Sequence, residues 1–281
     1  MPKHDSFSGS SLKRIFCALF FVLACAPSSF AAQNDALRKA VEKTAASVSI
    51  RNAQWGVSVK YADTGTMLAE YNPRQNLIPA SSLKLLVTAA ALNILGEDYR
   101  FRTRLFYDGK ISSDGTLKGN VYIRGGGDPA LGSDRVKGSM PMEQVFSSWA
   151  GKLRQKGIKK IKGSIVADNL LYSGTPIPGS WSLEDTGNYY AAPADALSIN
   201  DNLYTLYLRP GRKAGDDAAV LRTEPEIPGL KFVNLMKTGP RGSGDKGYIF
   251  CSPGQYTATL RGTVPAGPAE FAIKGAIPEP A

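Results

Sequence analysis

The chain has 281 residues, of which 43% are hydrophobic and 21% are charged. This is enough apolar material for one large or two modest domains, and it excludes an intrinsically disordered protein. The formal charge of +10 suggests an anionic partner, but Lys and Arg are spread along the sequence. That distribution favours a solvated basic surface over a nucleic-acid-binding patch, so we expect no nucleic-acid partner.

The N-terminus has the features of a signal peptide. A lysine and an arginine precede the apolar run 15–26, and small residues up to Ala31 offer a cleavage site. The apolar run is short for a membrane span. We therefore assign residues 1–31 to a signal peptide and expect an exported mature chain without a transmembrane span. A lipobox ending at an acylated Cys25 is the alternative, and Leu23 fits that pattern poorly.

Removal of the signal peptide would limit the kinds of catalytic and metal site that the mature chain can form. It removes Cys17, Cys25 and the only histidine, His4, and it leaves Cys251 as the single cysteine. A Ser-His-Asp triad, a Cys-His pair, a structural zinc site and an intrachain disulfide are then excluded. A serine enzyme would need a lysine, a tyrosine or a carboxylate as its base. We expect neither a metal nor a cofactor.

The first elements predicted in the mature chain are a helix and a hairpin. Apolar residues at helical spacing predict an amphipathic helix over 33–50. Alternating residues then predict a strand over 55–61, a turn at 63–65 and a return strand over 67–71.

A buried helix is predicted over 79–96. Pro79 suits a helix start, and the run 85–95 is too apolar to face water on any side. Ser81 and Lys84 are the polar exceptions in its first turn, and residues three apart share a helix face. A lysine held among apolar neighbours has its charged form disfavoured, so a neutral amine could take the proton of the serine hydroxyl.

The spacing of this pair is weak evidence by itself. A chain of this length contains S-x-x-K roughly once by chance. Two further matches begin at Ser10 and Ser243, and neither lies at the head of an apolar helix. The alternative for the pair is an ordinary capping serine at Ser81 with the Lys84 ammonium directed to solvent.

Several motifs occur together in the mature chain. They are IPASSLK at 78–84 with LGEDYRFRT at 95–103, GTLKGNVYIRGGGDP at 115–129, IKGSIVAD at 161–168 and YYAAP at 189–193. In this combination the chain resembles the D-alanyl-D-alanine carboxypeptidase/endopeptidase family, the low-molecular-mass class C penicillin-binding proteins. The resemblance implies that Ser81 is the catalytic nucleophile and that Lys84 is its base.

The resemblance also implies an α+β fold, in which mostly-β domains are inserted into a serine transpeptidase/β-lactamase-like domain. We expect residues 32–99 to form the first segment of that domain, with the S-x-x-K helix, and 100–281 to form the inserted region as two subdomains. One helix is predicted over Met142–Gln155. Family members extend past the position of Ala281, so we expect an incomplete, N-terminal part of the enzyme. Strands are predicted over 101–107, 116–123, 158–166, 203–208, 232–235, 248–251, 256–260 and 270–273.

Three short segments match known functional motifs, but the secondary structure predicted around each differs from that of the motif. Gly125–Asp128 resembles a phosphate loop, but Pro129 follows and no helix begins there, so we predict a tight turn. Ser198-Ile199-Asn200 and Lys237-Thr238-Gly239 match the S-x-N and K-T-G elements of penicilloyl serine transferases. A strand follows Ser198 and no helical pattern follows Gly239, so we interpret both as chance matches.

The sequence thus predicts a periplasmic serine D-Ala-D-Ala carboxypeptidase/endopeptidase that acts on peptidoglycan peptide stems through an acyl-enzyme on Ser81. By resemblance, β-lactams would acylate the same serine. A catalytically incomplete fragment or envelope-binding module, which lacks the S-x-N and K-T-G elements, is the alternative. A serine β-lactamase is a weaker third option, because the inserted region does not resemble that family.

Overall fold

The computed structural model describes residues 26–279, which fall into two units. The first unit ends at Asp98 and the second begins at Tyr99. The predicted signal peptide lies outside the described residues apart from positions 26–31, and Cys25 lies outside them as well. Export and lipidation therefore stay predictions.

The first unit contains two helices and a hairpin. Its elements are α1 Ala26–Ala45, β1 Val57–Lys60, β2 Met67–Tyr71, a 3-10 turn Ala80–Ser82 and α2 Leu83–Leu95. β1 and β2 pair antiparallel with Val57 opposite Tyr71, and Gly65 in the turn has a φ of 69°. Glycine adopts this left-handed conformation without steric cost. The predicted hairpin is confirmed, whereas the first predicted helix ends at Ala45 and not at Ile50.

The helix α2 differs from the sequence prediction in its surroundings. Its position is confirmed, with Gly96 at the C-cap, but the predicted burial is wrong, because every residue of 83–95 is exposed. The Leu85 side chain, for example, is 77% exposed. Apolar composition predicts burial because exposed apolar surface costs about 25 cal/mol per Å². Burial also requires covering elements, and the described part of the first unit supplies only α1 and the hairpin, which leave α2 uncovered.

The second unit is mostly β-sheet with one long helix. Its elements are β3 Arg104–Tyr107, β4 Lys110–Ile111, β5 Thr116–Lys118, β6 Val121–Arg124, α3 Met142–Gln155, β7 Lys160–Lys162, β8 Ile165–Asp168, β9 Leu203–Arg209, β10 Ala219–Glu224, β11 Lys231–Asn234, β12 Lys237–Gly239, β13 Lys246–Phe250, β14 Thr257–Pro265 and β15 Phe271–Ala276. The predicted helix α3 is confirmed at both ends. With few helices and many strands, the predicted α+β class is confirmed.

The strands between residues 104 and 168 form two small sheets of three strands each. Their strand orders are β3-β6-β8 and β4-β5-β7, and the pairs β5-β7 and β6-β8 are parallel. Each of the strands predicted over 116–123 and 158–166 is split in two, at Gly119 and at Gly163. A Cβ on Gly163 would lie 2.1 Å from the Gly119 carbonyl oxygen. The two glycines therefore allow close backbone contact at the point where both segments cross from one sheet to the other.

The larger core lies among the remaining strands. β9 lies between β10 and β15, and β14 pairs with β11, β12 and β13. Side chains from these two sheets form one buried apolar cluster, which includes Tyr204, Leu206, Leu208, Met236, Ile249 and Leu260. A smaller cluster of Leu117, Val121 and Ile158 lies in the first part of the unit. Burial of these side chains removes apolar surface from water, which stabilises the packing of the strands.

Candidate active site

The serine and lysine predicted from the S-x-x-K motif are in contact. Ser81 lies in the 3-10 turn Ala80–Ser82, and Lys84 lies in the first turn of α2. The Lys84 Nζ donates a hydrogen bond to the Ser81 Oγ at 3.0 Å. This is within the range for direct proton transfer between a nucleophile and a base.

The hydroxyl of the neighbouring Ser82 makes a different hydrogen bond. Its Oγ donates a hydrogen bond to the backbone carbonyl of Pro79. Of the two adjacent serines, Ser81 is therefore the one that presents its hydroxyl to Lys84, as the motif predicts.

Backbone strain lies directly before the candidate nucleophile. Ala80 has a φ of 44°, a left-handed conformation that is uncommon for a residue with a Cβ. Such conformations cost on the order of 1–3 kcal/mol and cluster at functional sites. The sequence offers no signal of this strain, because a glycine or an asparagine would be the usual residue at such a φ.

The surroundings of the pair differ from those that the sequence predicts. Ser81 and Lys84 are both exposed, as are their neighbours in α2. The apolar shell expected around the Lys84 ammonium is thus not formed by the described residues.

The other S-x-x-K matches do not bring the two side chains together in the same way. The Ser243 Oγ is buried without a hydrogen-bond partner among the described residues, so it makes no bond to the exposed Lys246. The match that begins at Ser10 lies outside the described range. The contact between Ser81 and Lys84 is therefore not a general consequence of the spacing.

The S-x-N match forms part of a turn in the second unit. The Ser198 Oγ donates to the Asp195 carbonyl at 3.0 Å and accepts a hydrogen bond from the Asn202 Nδ2 at 3.0 Å. The Asn200 Nδ2 donates to the Leu203 carbonyl at 3.1 Å. These contacts stabilise the 3-10 turn that leads into β9, which is consistent with the strand predicted there.

The K-T-G match forms strand β12, where the sequence pattern predicts no strand. The Lys237 Nζ forms an ion pair with Asp217. Thr238 is buried, and its Oγ1 accepts a hydrogen bond from the Gly211 N–H at 2.7 Å. Each of these side chains has a structural partner inside the second unit, and their interpretation as chance matches stays a prediction.

Residues 26–279 contain no helix that is long and apolar enough to cross a membrane. That same part of the chain contains no group of three or more His, Cys, Asp or Glu side chains placed to hold a metal ion.

A serine in hydrogen-bond contact with a lysine at the start of a helix is an arrangement that serine acyltransferases and peptidases use. Comparison with known proteins agrees with this class. Residues 37–281 match the model of the D-Ala-D-Ala carboxypeptidase 3 (S13) family. The chain belongs to this family, and the predicted family resemblance is confirmed.

Individual relatives carry related names. The D-alanyl-D-alanine carboxypeptidase of Actinomadura sp. (strain R39) is 25% identical over 254 residues, which cover 87% of this chain and 44% of the relative. The carboxypeptidase DacB of Mycolicibacterium smegmatis is 31% identical over 213 residues, which cover 71% of this chain and 43% of the relative. The chain thus spans less than half the length of these relatives.

The fold is also similar to a solved structure. Penicillin binding protein 4 (dacB) from Haemophilus influenzae superimposes with a TM-score of 0.60 at 22% identity, over 79% of this chain and 46% of that protein. The same protein in complex with a β-lactam superimposes with a TM-score of 0.52. At this level of identity the similarity concerns the fold.

Proposed function

We propose that this protein is a periplasmic serine D-Ala-D-Ala carboxypeptidase with endopeptidase activity on peptidoglycan cross-links. The observation that carries the proposal is the 3.0 Å contact between the Ser81 Oγ and the Lys84 Nζ. Membership of the carboxypeptidase family supports the same reaction. The strained Ala80, directly before the serine, is a second supporting feature.

The proposed reaction has two steps. The neutral Lys84 amine takes the proton of the Ser81 hydroxyl, and the Oγ attacks the carbonyl carbon of the penultimate D-alanine. The protonated Lys84 amine returns this proton to the leaving nitrogen as the peptide C–N bond breaks, and the terminal D-alanine departs. Water then hydrolyses the ester on Ser81, which releases the shortened peptide and restores the serine. The Ser81 backbone N–H would be one donor to the oxyanion, and this chemistry requires no metal or cofactor.

The proposed substrates are peptidoglycan peptide stems, and the proposed covalent inhibitors are β-lactams. A relative from Dictyostelium discoideum is named a penicillin-sensitive carboxypeptidase, and it is 26% identical over 182 residues. The similar Haemophilus influenzae protein was solved in complex with a β-lactam. Both names support a β-lactam-reactive serine in the present chain.

A second candidate function is an envelope-binding module without catalysis. The exposure of α2 around Lys84 favours it, because the described residues form no enclosed, water-excluding pocket around the pair. The side chains of Ser198 and Lys237 already have structural partners, which also favours a module without catalysis.

Labelling with a fluorescent penicillin separates the two candidates. The enzyme would form a covalent band on denaturing electrophoresis, and Ser81→Ala would lose it. Ser82→Ala is the matched control, since this neighbour donates to a backbone carbonyl, and it should keep the band. A folded wild-type chain that forms no band, or a Ser81→Ala variant that keeps it, would contradict the enzymatic proposal.

A further inference from the structure

The second unit contains a cavity of about 540 Å³ that is rich in arginine. Three segments line it: the run 99–104 that leads into β3, the end of β6 with the glycines after it, and residues 168–171 after β8. Its charged lining residues are Arg100, Arg102, Arg104, Arg124 and Asp168. Four arginines against one aspartate give this concave surface a strong positive charge.

The arginines are brought together by strand geometry. Arg104 begins β3 and Arg102 lies two residues before it, and both line the cavity. Arg104 also lies directly opposite Arg124 in the antiparallel pair β3-β6. Like charges directly opposite each other destabilise a sheet unless another group compensates them.

One of these arginines is already neutralised. The Arg124 Nε lies 2.6 Å from the Asp168 Oδ2, and its guanidinium lies 5.0 Å from the centre of the Phe106 ring. The Arg124 hydrogen bond lowers the pKa of Asp168, so the carboxylate is charged at neutral pH. The other Asp168 oxygen accepts the Leu170 N–H at 3.3 Å. Both carboxylate oxygens of Asp168 therefore have partners, one in Arg124 and one in the loop that follows β8.

Arg102 and Arg104 have no such partner. Neither guanidinium makes a hydrogen bond or an ion pair with any described residue of 26–279. Both are exposed at the cavity, where they keep a full set of donors.

The glycine run 125–127 helps to shape this cavity. A Cβ on Gly126 would lie 2.2 Å from the Arg102 carbonyl oxygen, and one on Gly125 would lie 2.2 Å from the Ala196 carbonyl oxygen. The glycines therefore permit the close backbone approach that brings the Arg102 segment to the end of β6. No helix begins after them, so they do not form a phosphate-binding helix start.

We propose that this cavity binds the free carboxylates of peptidoglycan peptide stems, through the guanidinium groups of Arg102 and Arg104. The identity of the ligand rests on the proposed function, because such stems carry carboxylates on short aliphatic chains. Planar guanidinium groups bind carboxylates with two parallel hydrogen bonds. The exposed Leu170 and Leu171 at the same cavity offer apolar surface for the aliphatic part. A concave site fits a single group better than a flat lipid surface.

Equilibrium binding to the full chain tests this assignment. The probe is a muropeptide with a tripeptide stem, which lacks the D-Ala-D-Ala ending and so is not consumed at Ser81. Its fully amidated form is the ligand control. The variant is Arg102→Gln/Arg104→Gln, and the protein control is Arg154→Gln, which removes one exposed arginine from α3 away from the cavity.

We expect saturable binding that weakens with added salt. The double Gln variant should bind at least about tenfold more weakly, the size of one lost charge-assisted hydrogen bond. The amidated probe should lose a similar factor, and Arg154→Gln should bind as wild type does. The double variant Arg102→Lys/Arg104→Lys keeps the charge without the planar fork, and it should restore only part of the affinity.

Three results would overturn the assignment: no binding by the wild type, equal binding of the acid and amide probes, or equal binding by the double Gln and Arg154→Gln variants. Binding of anionic lipid vesicles that depends on Arg102 and Arg104, without binding of the muropeptide, would assign the cavity to lipid headgroups and reject peptide carboxylates. Ser81→Ala should leave binding unchanged. Penicillin labelling without arginine-dependent binding would thus reject the cavity assignment alone, and the reverse result would reject the enzymatic proposal alone.

Discussion

The role of Lys84 can be tested by comparing its replacement by methionine with its replacement by arginine. Methionine removes both the positive charge and the proton acceptor, whereas arginine keeps the charge but cannot act as a base, because its guanidinium stays protonated. At the observed separation of 3.0 Å, a fixed positive charge beside a developing alkoxide contributes about 1.4 kcal/mol in water-like surroundings, or about tenfold in rate. Water-like screening applies because both side chains are exposed.

A positioned base is worth more than this charge effect, about 10²–10⁴-fold in rate. If Lys84 is the base of the proposed reaction, we expect Lys84→Met to lower the rate of acylation by a fluorescent penicillin by that factor. Lys84→Arg should be no more than about tenfold faster than Lys84→Met. The control is Lys246→Met in the S-x-x-K match at Ser243, and it should react like the wild type.

The measurement is the second-order rate constant for labelling, with stopped samples quantified after denaturing electrophoresis. An Arg variant that reacts as fast as the wild type would refute the assignment of Lys84 as a base, because a charge alone would then account for its effect. Normal labelling by Lys84→Met would refute any role for this side chain.

Two further predictions concern the stability of the second unit. Leu206 is fully buried on β9, so Leu206→Ala should lower the free energy of unfolding by about 2–5 kcal/mol in urea denaturation, whereas the half-exposed Leu235→Ala should cost far less. A loss below that of Leu235→Ala would contradict the assigned core. The pKa of Asp108 is held below its ordinary value by hydrogen bonds from the Asn120 backbone N–H and the Tyr122 hydroxyl. The stability from these bonds is present above the unfolded carboxyl pKa of about 3.9 and is lost as the pH falls through the lower folded value. The melting temperatures of the wild type and Asp108→Asn should therefore differ at neutral pH, and the difference should begin to shrink only as the pH falls below about 4; a constant difference would refute this role.

Elements with strong local signals could be predicted from sequence. The helix Met142–Gln155 has an amphipathic period and was predicted to the residue, and the turn at Gly65 identified the hairpin. The short strands Lys110–Ile111 and Ala219–Glu224 were missed. The first has only two residues and carries no periodic pattern, and the second lacks a clean alternation of apolar and polar residues, so their pairing partners decide their conformation.

The candidate site also has features that the sequence predicts and features that it does not. The contact between Ser81 and Lys84 is predicted by the S-x-x-K spacing together with its place at the start of an apolar helix, since residues three apart share a helix face. The strain at Ala80 had no sequence signal, because a glycine or an asparagine is the usual residue at such a φ. The ion pair of Lys237 with Asp217 had none either, because it depends on how two separate backbone segments meet.

The sequence by itself determined the family, the nucleophile and base candidates, and most of the helices and strands, because these depend on residue types and on spacings within one or two turns of chain. Only the tertiary structure decided the exposure of α2, the parallel pairing of β5 with β7 and β6 with β8, and the gathering of Arg102, Arg104 and Arg124 around one cavity. These features join segments that lie tens of residues apart. Hydrophobic pattern indicates which face of a strand is buried, but it does not specify which strand lies beside it.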